Sequence, residues 1–191
     1  MAGNIQGSKI VLKNCYAIGT VTGNEYCGGV VGYNYAATVE NCYAAVAVTA
    51  TRYSGGLVGN NGSGATTRNC AALVPRLTRS SGSQTSFRRV AGTGNGTLDG
   101  NYARSDMTFL DSPTSSPFSP NTAITSDPAG VHGADITSTD WGDPSWWQTG
   151  SNWSGGGSWS STDWDFTLVD ATHLPRLKGM PGGLGIQNPQ P

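Results

Sequence analysis

Residues 39–59 read VENCYAAVAVTATRYSGGLVG, and both halves of this stretch recur along the chain. The first half returns as LKNCYA at 12–17, TRNCAA at 67–72 and LDGNYA at 98–103. The second half returns as GGVVG at 28–32 and, altered, as RRVAG at 88–92. Cys15 to Cys42 is 27 residues, Cys42 to Cys70 is 28, and Cys70 to Asn101 is 31. A period near 27 residues with short β-branched runs and Gly-rich corners predicts one solenoid coil per repeat. Equivalent strands then pair in parallel, about 4.8 Å apart, and equal positions stack in ladders. The expected fold is all-β: a parallel β-helix, or β-solenoid, of three to four coils.

The ladders follow from the alignment. Lys13, Glu40, Arg68 and Asp99 share one position and alternate in sign. Opposite charges on adjacent strands attract by roughly 0.2–1 kcal/mol, whereas like charges repel. Asn14, Asn41 and Asn69 fall at a corner, where Asn tolerates left-handed backbone, and Gly100 fills that slot in the fourth copy. Cys15, Cys42 and Cys70 then point inward. Two disulfides are conceivable in a secreted chain, but ladder side chains run side by side rather than converging, so buried free thiols are expected. The third GG-like block starts 18 residues after its cysteine rather than 13. The residues in between, PRLTRSSGSQTSFRR at 75–89, are expected to form a loop.

Composition agrees with a thin core. Ile, Leu, Val and Phe number 32 of 191 residues, while Ser and Thr number 41 and Gly 28. The net charge of −1 argues against a charge-expanded disordered chain. No run of 18 apolar residues exists, so no membrane insertion by a helix is expected. No basic-then-apolar leader opens the sequence. Charge divides sharply: residues 1–104 carry a net +6 and residues 105–191 a net −7. All six tryptophans, Trp141, Trp146, Trp147, Trp153, Trp159 and Trp164, lie in the acidic part. The expected division is a solenoid over 1–104 and a Trp-rich, irregular capping or interaction segment over 105–191.

The blocks GGVVG and GGLVG, with NCYAIGTV at 14–21, resemble the GLUG repeat over about residues 10–104. Arg88, Arg89 and Ala91 depart from its pattern in the third copy. The resemblance implies a β-solenoid at the bacterial cell surface or outside the cell, in adhesin-like proteins. It implies no catalytic residues.

No C-x-x-C pair suggests zinc. His132 and His173 lie in no visible nucleophile constellation. The repeats carry only Glu25, Glu40 and Asp99 as acids, and glycoside hydrolysis needs two carboxylates flanking one bond. Asp163 and Asp165 have the spacing of a weak calcium site. No enzyme activity, metal or cofactor is expected. The tryptophans are read first as the segment's own core, and otherwise as anchors for an interface or stacking faces for a glycan. Arg76, Arg79, Arg88 and Arg89 are read as a solvated basic loop able to meet an anion, but without the interleaved aromatics of a nucleic-acid site. The functional expectation is a non-enzymatic structural or adhesive module. Its partners are other copies of itself, as in a head-to-tail filament, neighbouring surface domains, or a glycan.

Overall fold

The computed structural model describes residues 2–81, 86–112, 114–157 and 159–179. Strands β1 (Ala2–Gln6), β2 (Val11–Lys13), β3 (Tyr16–Thr22) and β4 (Glu25–Gly28) trace the first coil. Strands β5 (Val31–Tyr35), β6 (Thr38–Glu40), β7 (Tyr43–Ala50) and β8 (Arg52–Gly55) repeat it. The third coil runs through β9 (Val58–Asn61), β10 (Thr66–Arg68), β11 (Ala71–Ala72), β12 (Arg76–Arg79) and β13 (Phe87–Arg88). The fourth comprises β14 (Ala91–Thr93), β15 (Thr97–Asp99), β16 (Tyr102–Arg104) and β17 (Thr108–Asp111), and β18 (Ala134–Ile136) adds to β16.

Each strand pairs in parallel with its counterparts above and below, giving the sheet orders β1-β5-β9-β14 and β2-β6-β10-β15. The chain is a parallel β-solenoid of about four coils. The interior is a column of small side chains in which Val31, Val39, Cys42, Ala44, Val46, Leu57, Val58, Cys70 and Ala72 are buried.

The corners explain the sequence most directly. Asn14, Asn41 and Asn69 have φ of 52°, 51° and 53°, and Gly100 has 61°. Asn and Gly adopt this left-handed backbone at least cost. The GG block meets a different demand. A Cβ on Gly29 would lie 2.4 Å from the Gly56 carbonyl oxygen, and one on Gly56 would lie 2.3 Å from that of Arg89. Each glycine is therefore required by the coil above it.

The stretch 75–89, expected as a loop, contributes strands at both ends. Leu77, Thr78 and Arg79 register against Val48, Thr49 and Ala50 of β7. Phe87 registers against Ser54 and is buried in the core. Alternation of inward Leu77 with outward Thr78 sustains the ladder despite the surrounding Ser and Gly. Gly82 to Thr85, the middle of that expected loop, lie outside the described residues.

Beyond residue 112 the chain does two things. Residues 114–137 cover the C-terminal end of the solenoid. Val131 accepts hydrogen bonds from the Val90 and Ala91 N–H groups, as Leu57 does from Val30 and Val31 one coil earlier. Phe118 packs edge-on against Phe87 and Phe109. Residues 138–179 instead lie along a flank of the solenoid. Helices α1 (Ser138–Trp141) and α2 (Pro144–Gln148) carry Trp141, Trp146 and Trp147 there, the antiparallel pair β19 (Trp164–Asp165) and β20 (Arg176–Leu177) carries Trp164, and Trp153 and Trp159 lie on the irregular chain between them.

Candidate functional site

The charge ladder sits on the β2-β6-β10-β15 face. Lys13 registers with Glu40, Glu40 with Arg68, and Arg68 with Asp99. Arg68 Nε and Nη2 both donate to Glu40, at 2.9 and 2.6 Å. Asp99 accepts from the Ser154 hydroxyl, and Lys13 forms no ion pair among the described residues. A second exposed pair, Glu25 with Arg52, repeats the arrangement on β4 and β8. The asparagine corner also holds the flank. Asn14 Nδ2 donates to Asp163 at 2.9 Å, and the Ser154 N–H donates to Asn69 Oδ1 at 2.8 Å. A small cavity of about 260 Å³ lies at this seam, between Glu40, Arg68, Asn69 and Ser154.

The inward cysteines are all free thiols. The Cys42 and Cys70 thiols point at the carbonyls of Glu40 and Arg68, at 3.1 and 3.0 Å. Thiol contacts within the column and burial push Cys15 and Cys42 far above the ordinary thiol range, and burial raises Cys27. Asn101 ends the column, donating to the Thr67 carbonyl at 2.7 Å and accepting from the Cys70 N–H at 3.2 Å.

Five of the six tryptophans, Trp141, Trp147, Trp153, Trp159 and Trp164, are buried, together with Tyr43, Ala71 and Leu73 of the solenoid. Only Trp146 is half-buried, edge-on to Tyr102 and Trp153. Tyr16 and Tyr43 stack at 5.3 Å and present a wall of rings to Trp164 and Trp159. The Tyr43 hydroxyl donates to the Pro175 carbonyl at 2.8 Å. The five buried indoles therefore have no face free to stack on a sugar. Small outward residues on the solenoid, Ala45 and Ala71, leave room that only large rings fill.

The four arginines do not form one basic loop. Arg76 is exposed. Arg79 is buried, paired with Asp111 at 2.8 Å and lying 4.2 Å over the Phe118 ring. Arg88, half-buried, donates to Thr122 and the Gly92 carbonyl. Arg89 is fully buried and donates to the His132, Gly133 and Arg104 carbonyls, with an ion pair to Asp135 at 2.6 Å. Arg89 occupies the position of Gly29 and Gly56. No further GG block stacks on it, so its side chain instead ties down the covering segment. His132 lies beside it. The His132 ring nitrogens meet the Arg89 N–H and the Thr122 carbonyl, and burial lowers its pKa to about 4.

The acids are likewise engaged. Asp163 binds Asn14. Asp165 accepts from Thr167 and pairs with Arg176 at 3.1 Å. The two carboxylates flank buried Trp164 and serve different partners, so they do not converge on one ion. Among the described residues no group of three His, Cys, Asp or Glu is placed to hold a metal. Asp170 caps a turn, accepting from the Thr172 and His173 N–H groups, and the His173 ring, with the Thr172 hydroxyl and N–H, holds its carboxyl below the usual range.

A surface groove of about 410 Å³ lies on the outer face of β3, β7 and β12 beside the end of β17. Thr22, Thr49 and Thr78 register across it, and Arg76 and Ser112 line its rim. Of the residues singled out in the sequence, only Arg76 points here. The threonines were missed, although T-x-T at 20–22 and T-x-T at 49–51 mark an outward face by alternation. The tyrosine corners were missed as well. Tyr26 and Tyr53 hold φ of 52° and 56° and stack at 5.2 Å, and the recurring E-Y-C-G and R-Y-S-G carried that signal.

The two solenoid ends differ. Residues 114–137 occupy the C-terminal end, where Val131 and Pro128 accept main-chain hydrogen bonds from the last coil. At the N-terminal end, the outer edges of β1 to β4 pair with nothing among the described residues.

These features define a parallel β-solenoid protein with one closed end and a tryptophan-braced flank. Residues 23–49, from the start of β4 nearly to the end of β7, match the family model of the GLUG motif. Comparison with curated proteins and with solved structures gives no match.

Proposed function

We propose that the chain is a non-enzymatic extracellular module with a structural or adhesive role. The observation that carries this reading is the ordering of its polar groups. Glu40, Arg68 and Asp99 of the ladder and the acids beside Trp164 are spent on neighbouring coils or on the flank, which gives a rigid scaffold. One open surface among the described residues is the threonine-lined groove with Arg76 at its rim. The GLUG motif at 23–49 supports an extracellular setting. A glycan is the favoured contact, and the groove replaces the tryptophans as its place. Hydroxyls at about 4.8 Å spacing match repeated sugar hydroxyls, and a guanidinium favours carboxylated or sulfated sugars. The test is an array of neutral and acidic polysaccharides probed with the purified chain. Saturable retention on acidic glycans, lost in Arg76→Ala and leaving the glycan unchanged, is the expected result. Chemical alteration of a glycan, or no saturable retention on any, overturns the reading.

A further inference from the structure

The N-terminal end of the solenoid, whose outer strand edges pair with nothing among the described residues, has the composition of an interior. Ala2, Leu12, Cys15 and Ala17 occupy the positions of fully buried Val31, Val39, Cys42 and Ala44, yet each is only partly buried. Beside them Ile10, Val11 and Ile18 are 46%, 53% and 51% exposed. Such an edge is a template for pairing with another strand.

Its hydrogen-bonding parity is fixed. The Cys15 carbonyl accepts from Tyr43 and the Gly23 N–H donates to Thr49, so the odd residues of β3 face β7. Main-chain groups alternate sides in a parallel ladder, which leaves those of Tyr16, Ile18, Thr20 and Thr22 on the open edge. Two charged groups bracket the strand. Lys13 precedes it by three residues and Glu25 follows it by three, so both lie six residues from Gly19 at its centre.

The geometry points to a second copy of this chain, docked edge to edge about a two-fold axis through Gly19. In that register Ile18 opposes Thr20 of the second copy and Tyr16 opposes its Thr22, so the free main-chain groups bond to one another. Inward Ala17 opposes inward Val21 of the second copy, which continues the core across the junction. Lys13 opposes Glu25 of the second copy, twice by symmetry. Gly19 has open space where a Cβ would stand, so two backbones can approach there. The contact is isologous and closes on itself, giving a dimer and no filament.

Sedimentation equilibrium of the whole chain, from about 1 to 200 µM, is combined with carbodiimide coupling on a mixture of isotopically light and heavy chains. The reagent joins only an amine and a carboxylate already in contact. Within one copy Lys13 and Glu25 lie beyond its reach, since β3 alone spans about 20 Å. The expected result is a monomer–dimer equilibrium and a mixed-isotope Lys13–Glu25 peptide. Lys13→Glu should weaken dimerisation at least about tenfold, and Lys13→Glu with Glu25→Lys should recover it. Both side chains are exposed, and circular dichroism checks that each variant folds. A monomer throughout, polymers that grow with concentration, or a dimer lacking the Lys13–Glu25 peptide each overturns the proposal.

Discussion

Gly56→Ala tests whether close stacking of the coils dictates the GG block. The added Cβ would stand 2.3 Å from the Arg89 carbonyl oxygen, whereas a carbon–oxygen contact relaxes near about 3.3 Å. The carbonyl must then recede by about 1 Å. That same carbonyl accepts the Gly56 N–H at 3.0 Å, and a bond stretched that far is lost. Losing a net hydrogen bond costs about 1 kcal/mol, and leaving its buried groups unsatisfied adds about 1–3. The expected destabilisation is about 2–4 kcal/mol. For a chain of this size that lowers the melting temperature by about 4–16 °C. Gly3→Ala is the control, because its Cβ would meet nothing within 4 Å. Urea unfolding followed by circular dichroism measures both. A Gly56→Ala variant within about 0.5 kcal/mol of the parent would refute coil stacking as the reason for the glycine.

Trp147 and Trp153 donate their indole N–H groups to carbonyls at 2.9 Å, whereas those of Trp159 and Trp164 are buried without a partner. Trp→Phe should therefore cost about 1 kcal/mol more at the first two sites, read by urea unfolding. Arg89→Met should destabilise by about 3 kcal/mol and speed hydrogen exchange at the Val90 and Ala91 amides, because Arg89 anchors the segment that bonds them. His132 has a folded pKa of about 4, below its ordinary value, so the unfolded state takes up the proton first. Its contribution is complete above about pH 6.5 and declines by about 2–3 kcal/mol as pH falls toward 4. The difference between the parent and His132→Asn across that window should carry this slope. Alkylation at pH 8 should leave Cys42 and Cys70 untouched in the folded chain and modify all four cysteines after unfolding without reductant.

The solenoid was legible because stacking makes each residue a constraint on its neighbours above and below. Asn14, Asn41 and Asn69 recur because one corner of backbone recurs, and Lys13, Glu40, Arg68 and Asp99 alternate because each stacks directly on the next. Such signals are periodic, so a single sequence displays them. The flank leaves no such trace. Trp147 and Trp164 mark a large apolar payload, but nothing in their spacing tells whether it fills a cap, an interface or the side of a coil. The deciding residues lie far away in the chain: Tyr43, with room beside it at Ala45 and Ala71. The same limit governs Arg89. Read locally, it joins Arg88 as surface charge. Read in the stack, it stands where Gly29 and Gly56 cannot tolerate a side chain, and its presence there means that no further GG block lies above it. A break in the repeat thus encodes the end of the solenoid, and Arg89, freed from stacking, becomes the group that fastens the covering segment.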